Sequence, residues 1–518
     1  MGEKRRVVVI GLDAADRDLI LKWGGEGKLP VLQRLLASRA SGAIDNPDGL
    51  YVGAVWPSFY TGVSPAKHSR YCFVQLRPGS YEVKPFHPRE VQATPFWDAF
   101  SDQGKRVAVI DVPKTYASET INGVHIVDWG THDPEDGLRT TPPELAASLS
   151  GSYGIDEIQH CNAFRTKADE FAAFRDALLE RIDRKVEMAR EFLRREPWDC
   201  FVSVFSESHC VGHQCWHLHD TAHPKHDPGI REALGDPIEQ VYIALDAAVG
   251  KLIAEVGEDT TVLLVASHGM GPHYDATFML DAILRRLEDG PVQPRPPTQR
   301  GMFRLWSLLP DTWRKPLKFL TAPIKQKVQP PDWRLRRRRY FQIPNNDVYG
   351  GIRINLVGRE PHGTVQPGAD YEACCAQLTR DLLALVNADT GKPLVKRVIK
   401  TDDLYSGRCR EWLPDLMVEW DRSTPVARVS SAKTGMVEGT YRKCRTGDHT
   451  KAGLFVAAGP GIGHAELGEV SIMDFAPTLA EILNADLPDA DGRSFAQALL
   501  GPIDAAQTSE RVARAPKA

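Results

Sequence analysis

The chain has 518 residues, 42% of them hydrophobic, and a formal net charge of -4; this allows one large α/β unit with insertions, or two to three domains, and argues against a nucleic-acid-binding protein. Nine cysteines without regular spacing exclude a disulfide framework. No apolar run approaches the ~18 residues of a membrane span, and Met1 to Arg6 lacks the apolar stretch of a signal peptide, so a cytoplasmic protein is expected.

The first predicted element is a fully apolar strand from Val7 to Ile10, closed by Gly11-Leu12-Asp13, a pattern that suits a central parallel strand ending in an acid. Helical periodicity follows from Leu19 to Leu36, interrupted at Gly24-Gly25 and Pro30. A helix around Phe96 to Phe100 leads to a strand from Val107 to Ile110, again followed by an acid, Asp111. A long charged amphipathic helix from Phe171 to Arg195 runs into a buried strand from Cys200 to Phe205. A helix from Val241 to Val256 and a strand from Val262 to Ala266 come next. Strands alternating with helices predict a layered α/β/α sandwich with a large, mostly parallel sheet. The rhythm breaks between Arg295 and Arg339, where 13 Lys/Arg stand against two Asp. It resumes with a strand from Gly351 to Leu356, a helix from Tyr371 to Asn387, a strand from Leu454 to Ala458 and a helix from Met473 to Leu483. The expected organisation is a core in two parts, 1–290 and 347–505. A basic Pro/Arg-rich insertion or lid, 291–346, separates them, and a disordered tail, 506–518, follows. Within the insertion, 300–340 reads equally as a peripheral membrane contact or a solvated basic loop.

Six histidines fall between His209 and His226. His209 and His213 are spaced i, i+4, so one helix face presents both imidazoles to a single ion. They follow the Cys200 strand, and three other predicted strand ends carry a metal-type ligand: Asp13, His268 in Ala-Ser-His-Gly, and His449 in Gly-Asp-His-Thr. The C-terminal rim of an open α/β sheet is where ligands bind. Histidine nitrogens with a carboxylate suit Zn²⁺, with Mn²⁺ as the alternative, better than Mg²⁺. Ser267 and His273 are further candidates for the same shell, whereas His217 and His219 read as structural.

These motifs resemble the alkaline phosphatase superfamily, in its type I phosphodiesterase/nucleotide pyrophosphatase branch. Val9 to Asp16 resembles the opening strand with its metal-binding Asp. Thr61 to His68 resembles the Thr-Gly-x-x-Pro-x-x-His after the nucleophile helix, and Ser206 to His213 the Asp-x-x-x-His ligand pair. Ser267-His268-Gly269 resembles Asp-His-Gly, and Gly447-Asp448-His449 the closing metal histidine. Asp474 to Leu479 and Asp491 to Ser494 match the C-terminal signature shared with sulfatases. The resemblance implies an alkaline phosphatase-like fold and one or two ions. One would take His209, His213 and His449; the other Asp13, His268 and the nucleophile oxygen. Three departures stand out. His209 replaces an Asp, Ser267 replaces an Asp, and counting back nine residues from Thr61 to the nucleophile reaches Val52. Ser58 is the nearest hydroxyl. Pro57 as the first residue of a helix places Ser58 by that helix N-terminus, which favours an anion and a lowered hydroxyl pKa. Direct attack by water is the other route.

The expectation is therefore a metal-dependent hydrolase of small-molecule phosphate esters, foremost phosphodiesters or nucleotide pyrophosphates. The alternatives are a sulfatase-like or phosphonate hydrolase, or a catalytically weak metal- and anion-binding protein of the same fold. Val55 stands where a sulfatase carries the cysteine that becomes formylglycine, which counts against the sulfatase. Oligomeric state is not legible in the chain.

Overall fold

The computed structural model describes residues 5–158, 162–290, 335–346 and 348–500. The expected tail and residues 291–334 of the expected insertion, with the membrane contact read there, lie outside the described residues. No helix among the described residues is long and apolar enough to cross a membrane.

The apolar strand runs assemble into one nine-stranded sheet. Its strands are β1 (Arg6–Leu12), β2 (Ala40–Asp45), β3 (Val107–Ile110), β4 (Gly123–Val127), β5 (Arg139–Thr141), β6 (Cys200–Phe205), β7 (Thr260–Ala266), and, later in the chain, β10 (Gly453–Ala458) and β11 (Ala465–Ser471). The order is β11-β2-β10-β7-β1-β6-β3-β4-β5. The central run β7-β1-β6-β3-β4 is parallel throughout. The strands read as continuous apolar runs because both faces are covered. Along β1, Val7 and Val9 pack into one cluster with Tyr51, Phe59 and Phe475. Val8, Ile10 and Leu12 pack into the other, with Ile182, Val186 and Leu245. That two-sided core is the sandwich predicted from the sequence.

The single helix read over 19–36 is two, Arg17–Gly25 and Pro30–Ser38, the second started by the proline expected only to interrupt it. A second β unit falls inside the stretch expected to complete the core. Strands Tyr340–Ile343, Tyr349–Ile354, Leu416–Trp420 and Val395–Lys400 form an antiparallel four-stranded sheet in that order. Helices Leu280–Asp289 and Ala369–Leu383 pack against it, with Leu284, Leu378 and Leu382 in its own apolar cluster. Only from Gly453 onward does the chain return to the large sheet, so the expected block 347–505 divides.

Candidate metal centre

Every group in the centre hangs from the C-terminal rim of the parallel strands. Asp13 follows β1 directly and is 1% exposed. Trp56 Nε1 donates to its Oδ1 at 2.8 Å. Burial outweighs that hydrogen bond and pushes the carboxyl up to about 6, so a cation at its free oxygen would favour the ionised form. After β6 the chain turns into helix α3 (Glu207–His219), which carries His209 and His213 one turn apart and wholly buried. His449 lies on a short strand, β9 (Gly447–Thr450), antiparallel to β8 (Gly269–Pro272).

His213 Nδ1 donates to the Gly447 carbonyl at 2.8 Å, which leaves the Nε2 lone pair facing His449 Nε2 at 3.1 Å. Two nitrogens bound tetrahedrally to one zinc at ~2.0–2.1 Å stand roughly 3.3 Å apart. His209, His213 and His449 bring ligand atoms within 4.8 Å of one another. A second such group is Asp13, His132 and His209. Here Asp13 Oδ2, His132 Nδ1 and His209 Nδ1 are all buried without a hydrogen-bond partner. Asp13 Oδ2 and His132 Nδ1 stand 3.3 Å apart without forming a hydrogen bond, an arrangement that fits a cation, since buried polar groups are otherwise satisfied. Burial above all, then the neighbouring cations and imidazoles, holds His132, His209 and His213 well below the ordinary histidine range. They are therefore neutral, with lone pairs available, near pH 7.

His132 is the ligand that sequence reasoning missed. It lies in the loop after β4, at a fifth strand end, and its ring stacks on His209 with centroids 3.7 Å apart. The signal was present in Trp129-Gly130-Thr131-His132, but the strand Gly123–Val127 before it went unread. His268 Nδ1 stands 4.0 Å from Asp13 Oδ1, the pairing that the resemblance implied, and meets Ser267 Oγ at 3.0 Å. Its Nε2 meets His449 Nδ1 at 2.9 Å, so the ring bridges the two ligand groups. Ser267 Oγ reaches Asp13 Oδ1 at 3.4 Å and the Ala14 amide at 3.3 Å, a brace between β1 and β7. His273 stands apart, 3.1 Å from Asp275 and 3.4 Å from Asp448, a third group of the same kind. His217 and His219 are held by Thr446 and Asp236.

Ser58 is misplaced as a nucleophile. The helix α1 begins at Tyr51 and ends at Thr61, so Pro57 lies in its interior and Ser58 is nowhere near its N-terminus. Leu50, Tyr51, Ala54 and Val55 bury themselves and draw the helix out one and a half turns before the proline. Ser58 is 0% exposed, bonded to His68 Nε2 at 3.0 Å. Val52, in the first turn, lines the cavity instead.

That cavity, about 800 Å³, is walled by Asp13, His132, His209, His268 and His449 together with Arg70 and Lys114. Beneath it a buried charge network fixes the ligand-bearing loops. Lys185 Nζ pairs with Asp111 at 2.9 Å and donates to the Gly130 and Val204 carbonyls at 3.0 and 3.2 Å. Asp111 in turn accepts from the Trp129 and Gly130 amides. Arg181, on the same helix as Lys185, α2 (Ala168–Arg195), holds Glu207, the first residue of α3, at 2.7 Å. The loop of His132 and the helix of His209 are thereby tied to one another.

A model of the type I phosphodiesterase / nucleotide pyrophosphatase family matches residues 7–449. The chain belongs to that family. It is thus a phosphoric ester hydrolase of a metal-dependent family within the alkaline phosphatase superfamily. Phosphonoacetate hydrolase from Sinorhizobium meliloti 1021, in complex with phosphonoformate, superposes with a TM-score of 0.51 at 13% identity, over 93% of this chain and 96% of that one; the likeness is one of fold. Human ectonucleotide pyrophosphatase / phosphodiesterase 5 superposes with a TM-score of 0.49 at 12% identity, over 96% of this chain and 100% of that one. No curated protein matches the sequence. Against the resemblance described above, the chain carries His209 and Ser267 where two carboxylates are expected, and Val52 where the hydroxyl is expected.

Proposed function

We propose that this chain hydrolyses phosphoric esters at a zinc centre held by His209, His213 and His449 with Asp13 and His132, and that water, not a side chain, attacks phosphorus. The observation that carries the reading is the buried group of Asp13, His132 and His209, in which one ligand atom of each residue has no hydrogen bond and Asp13 Oδ2 stands 3.3 Å from His132 Nδ1. A nitrogen-rich shell with one carboxylate favours zinc over magnesium. When bound, the ion supplies Lewis acidity, withdrawing charge from a phosphoryl oxygen and acidifying the attacking water.

The chain's own residues do the rest. Trp56 fixes one oxygen of Asp13 and leaves the other toward the histidines. The Gly447 carbonyl fixes the tautomer of His213, and so the direction of its lone pair, while His268 Nε2 holds His449 Nδ1 at 2.9 Å. Val52 at the first turn of α1 gives the cavity an apolar wall where the family places its hydroxyl. The hydroxyl of Thr277, also on the cavity wall, accepts from Trp420 Nε1 at 2.7 Å. These features support a single displacement by water.

The test is stereochemical. A chiral thiophosphate diester hydrolysed by the zinc-loaded protein should invert at phosphorus, and Ser58→Ala should keep wild-type turnover while His213→Ala loses it. Retention of configuration, or loss of turnover in Ser58→Ala with metal content intact, would reject direct attack by water.

A further inference from the structure

Five cations stand on the wall of the same cavity, Arg70, Lys114, Arg442, Lys443 and Arg445, and the first two meet at one carboxylate, Glu135. Arg70 is 1% exposed. It donates to the Phe86 carbonyl and to Glu135 Oε1, both at 3.2 Å, while its Nε is buried without a hydrogen-bond partner. Lys114 Nζ has the Asp133 carbonyl at 3.3 Å and the same Glu135 oxygen at 3.9 Å. A buried guanidinium and a half-buried ammonium thus share one carboxylate oxygen, and Arg70 keeps a donor unspent. Such a pair is costly unless an anion neutralises it. Lys114 is held at a φ of 62°, a left-handed conformation uncommon outside glycine and concentrated at functional sites. Burial, then the charge of Arg70, pushes its ammonium below the ordinary lysine range against the opposing pull of Glu135, Asp133 and Asp128.

We infer that Arg70 and Lys114 form a subsite for a second anionic group of the substrate, beyond the phosphoryl group addressed by the histidines. The inference rests on the hydrolase reading above and narrows its substrate class. The ester or anhydride carries a further phosphate or carboxylate near the bond that breaks. Both anions match the planar guanidinium fork and the lysine point charge. A diester with a single charge leaves the pair uncompensated.

Binding tests this without relying on turnover. Calorimetry on the zinc-loaded protein compares methylphosphonate with phosphonoacetate and methylenediphosphonate, which add a carboxylate or a second phosphonate to the same head. The wild type should bind at least one of the two-anion probes about tenfold or more tighter than methylphosphonate, and Arg70→Gln and Lys114→Met should each shrink that preference to within about threefold. Arg70→Lys, which keeps the charge, should restore part of it. Whichever two-anion probe binds tighter identifies the anion as carboxylate or phosphate. No preference in the wild type overturns the subsite. So does a preference retained by both variants, which would mean that the second anion chelates the metal. If the preference is found but no ester is turned over, the hydrolase reading falls and the subsite stands.

Discussion

Asp13 shows how one buried carboxylate organises the centre. Trp56 occupies one oxygen, and the other stands 3.3 Å from His132 Nδ1 in the group that His209 completes. The loss of carboxylates at positions 209 and 267 leaves the site rich in neutral nitrogen, and His132 supplies a donor from a loop the family motifs do not mark. His132→Ala should lower zinc affinity by at least about tenfold, as loss of even a ligand's supporting partner does, read by competition with a chromogenic chelator. Unchanged affinity would remove His132 from the shell. Ser58 and Val52 complete the residue-scale picture. The hydroxyl is locked against His68 within the core, and the position facing the cavity is apolar.

At the scale of elements, the centre depends on how closely α3 and β9 approach. A Cβ on Gly447 would stand 2.3 Å from the Gly212 carbonyl, so only glycine lets the strand bring His449 against His213. Gly447→Ala should force the two apart, cost about 1–3 kcal/mol of stability by overpacking, and lower zinc affinity in parallel. A stability loss without any change in metal binding would show that the two histidines do not act together. Much of this scale was legible in the chain. The i, i+4 spacing of His209 and His213 placed them on one helix face, and apolar runs such as Cys200 to Phe205 announced buried parallel strands. The start of α1 was not legible, because proline at a first helical turn is the usual local preference and burial of Leu50 and Tyr51 overrode it. The antiparallel sheet was missed for a related reason. Val395–Lys400 alternates apolar residues with Lys396, Arg397 and Lys400 and looks solvated, yet its pairing with Leu416–Trp420 makes it a strand.

Across the whole molecule, burial of uncharged histidines links folding to pH. His68 and His125 are both 0% exposed, and burial lowers each to about 3. Because the folded value lies below the unfolded one of ~6.5, their stability is intact above that pH and is lost progressively as pH falls toward 3. At pH 5 each should have forfeited about 2 kcal/mol. Urea unfolding of His125→Gln should accordingly show a shallower loss between pH 7 and pH 5 than the wild type; an identical slope would mean that His125 is protonated in the fold. The overall architecture was readable because strand–helix alternation repeats along the chain, while the convergence of these strand ends on two ligand groups that share His209 belongs to the folded state alone.

That convergence is the central claim, and X-ray absorption at the zinc edge of the zinc-loaded, dialysed protein tests it most directly. The account predicts at least one retained ion per chain, with a nitrogen and oxygen shell at about 2.0–2.1 Å that includes three or more imidazoles. A shell containing sulfur at about 2.3 Å, or no retained zinc, would contradict it.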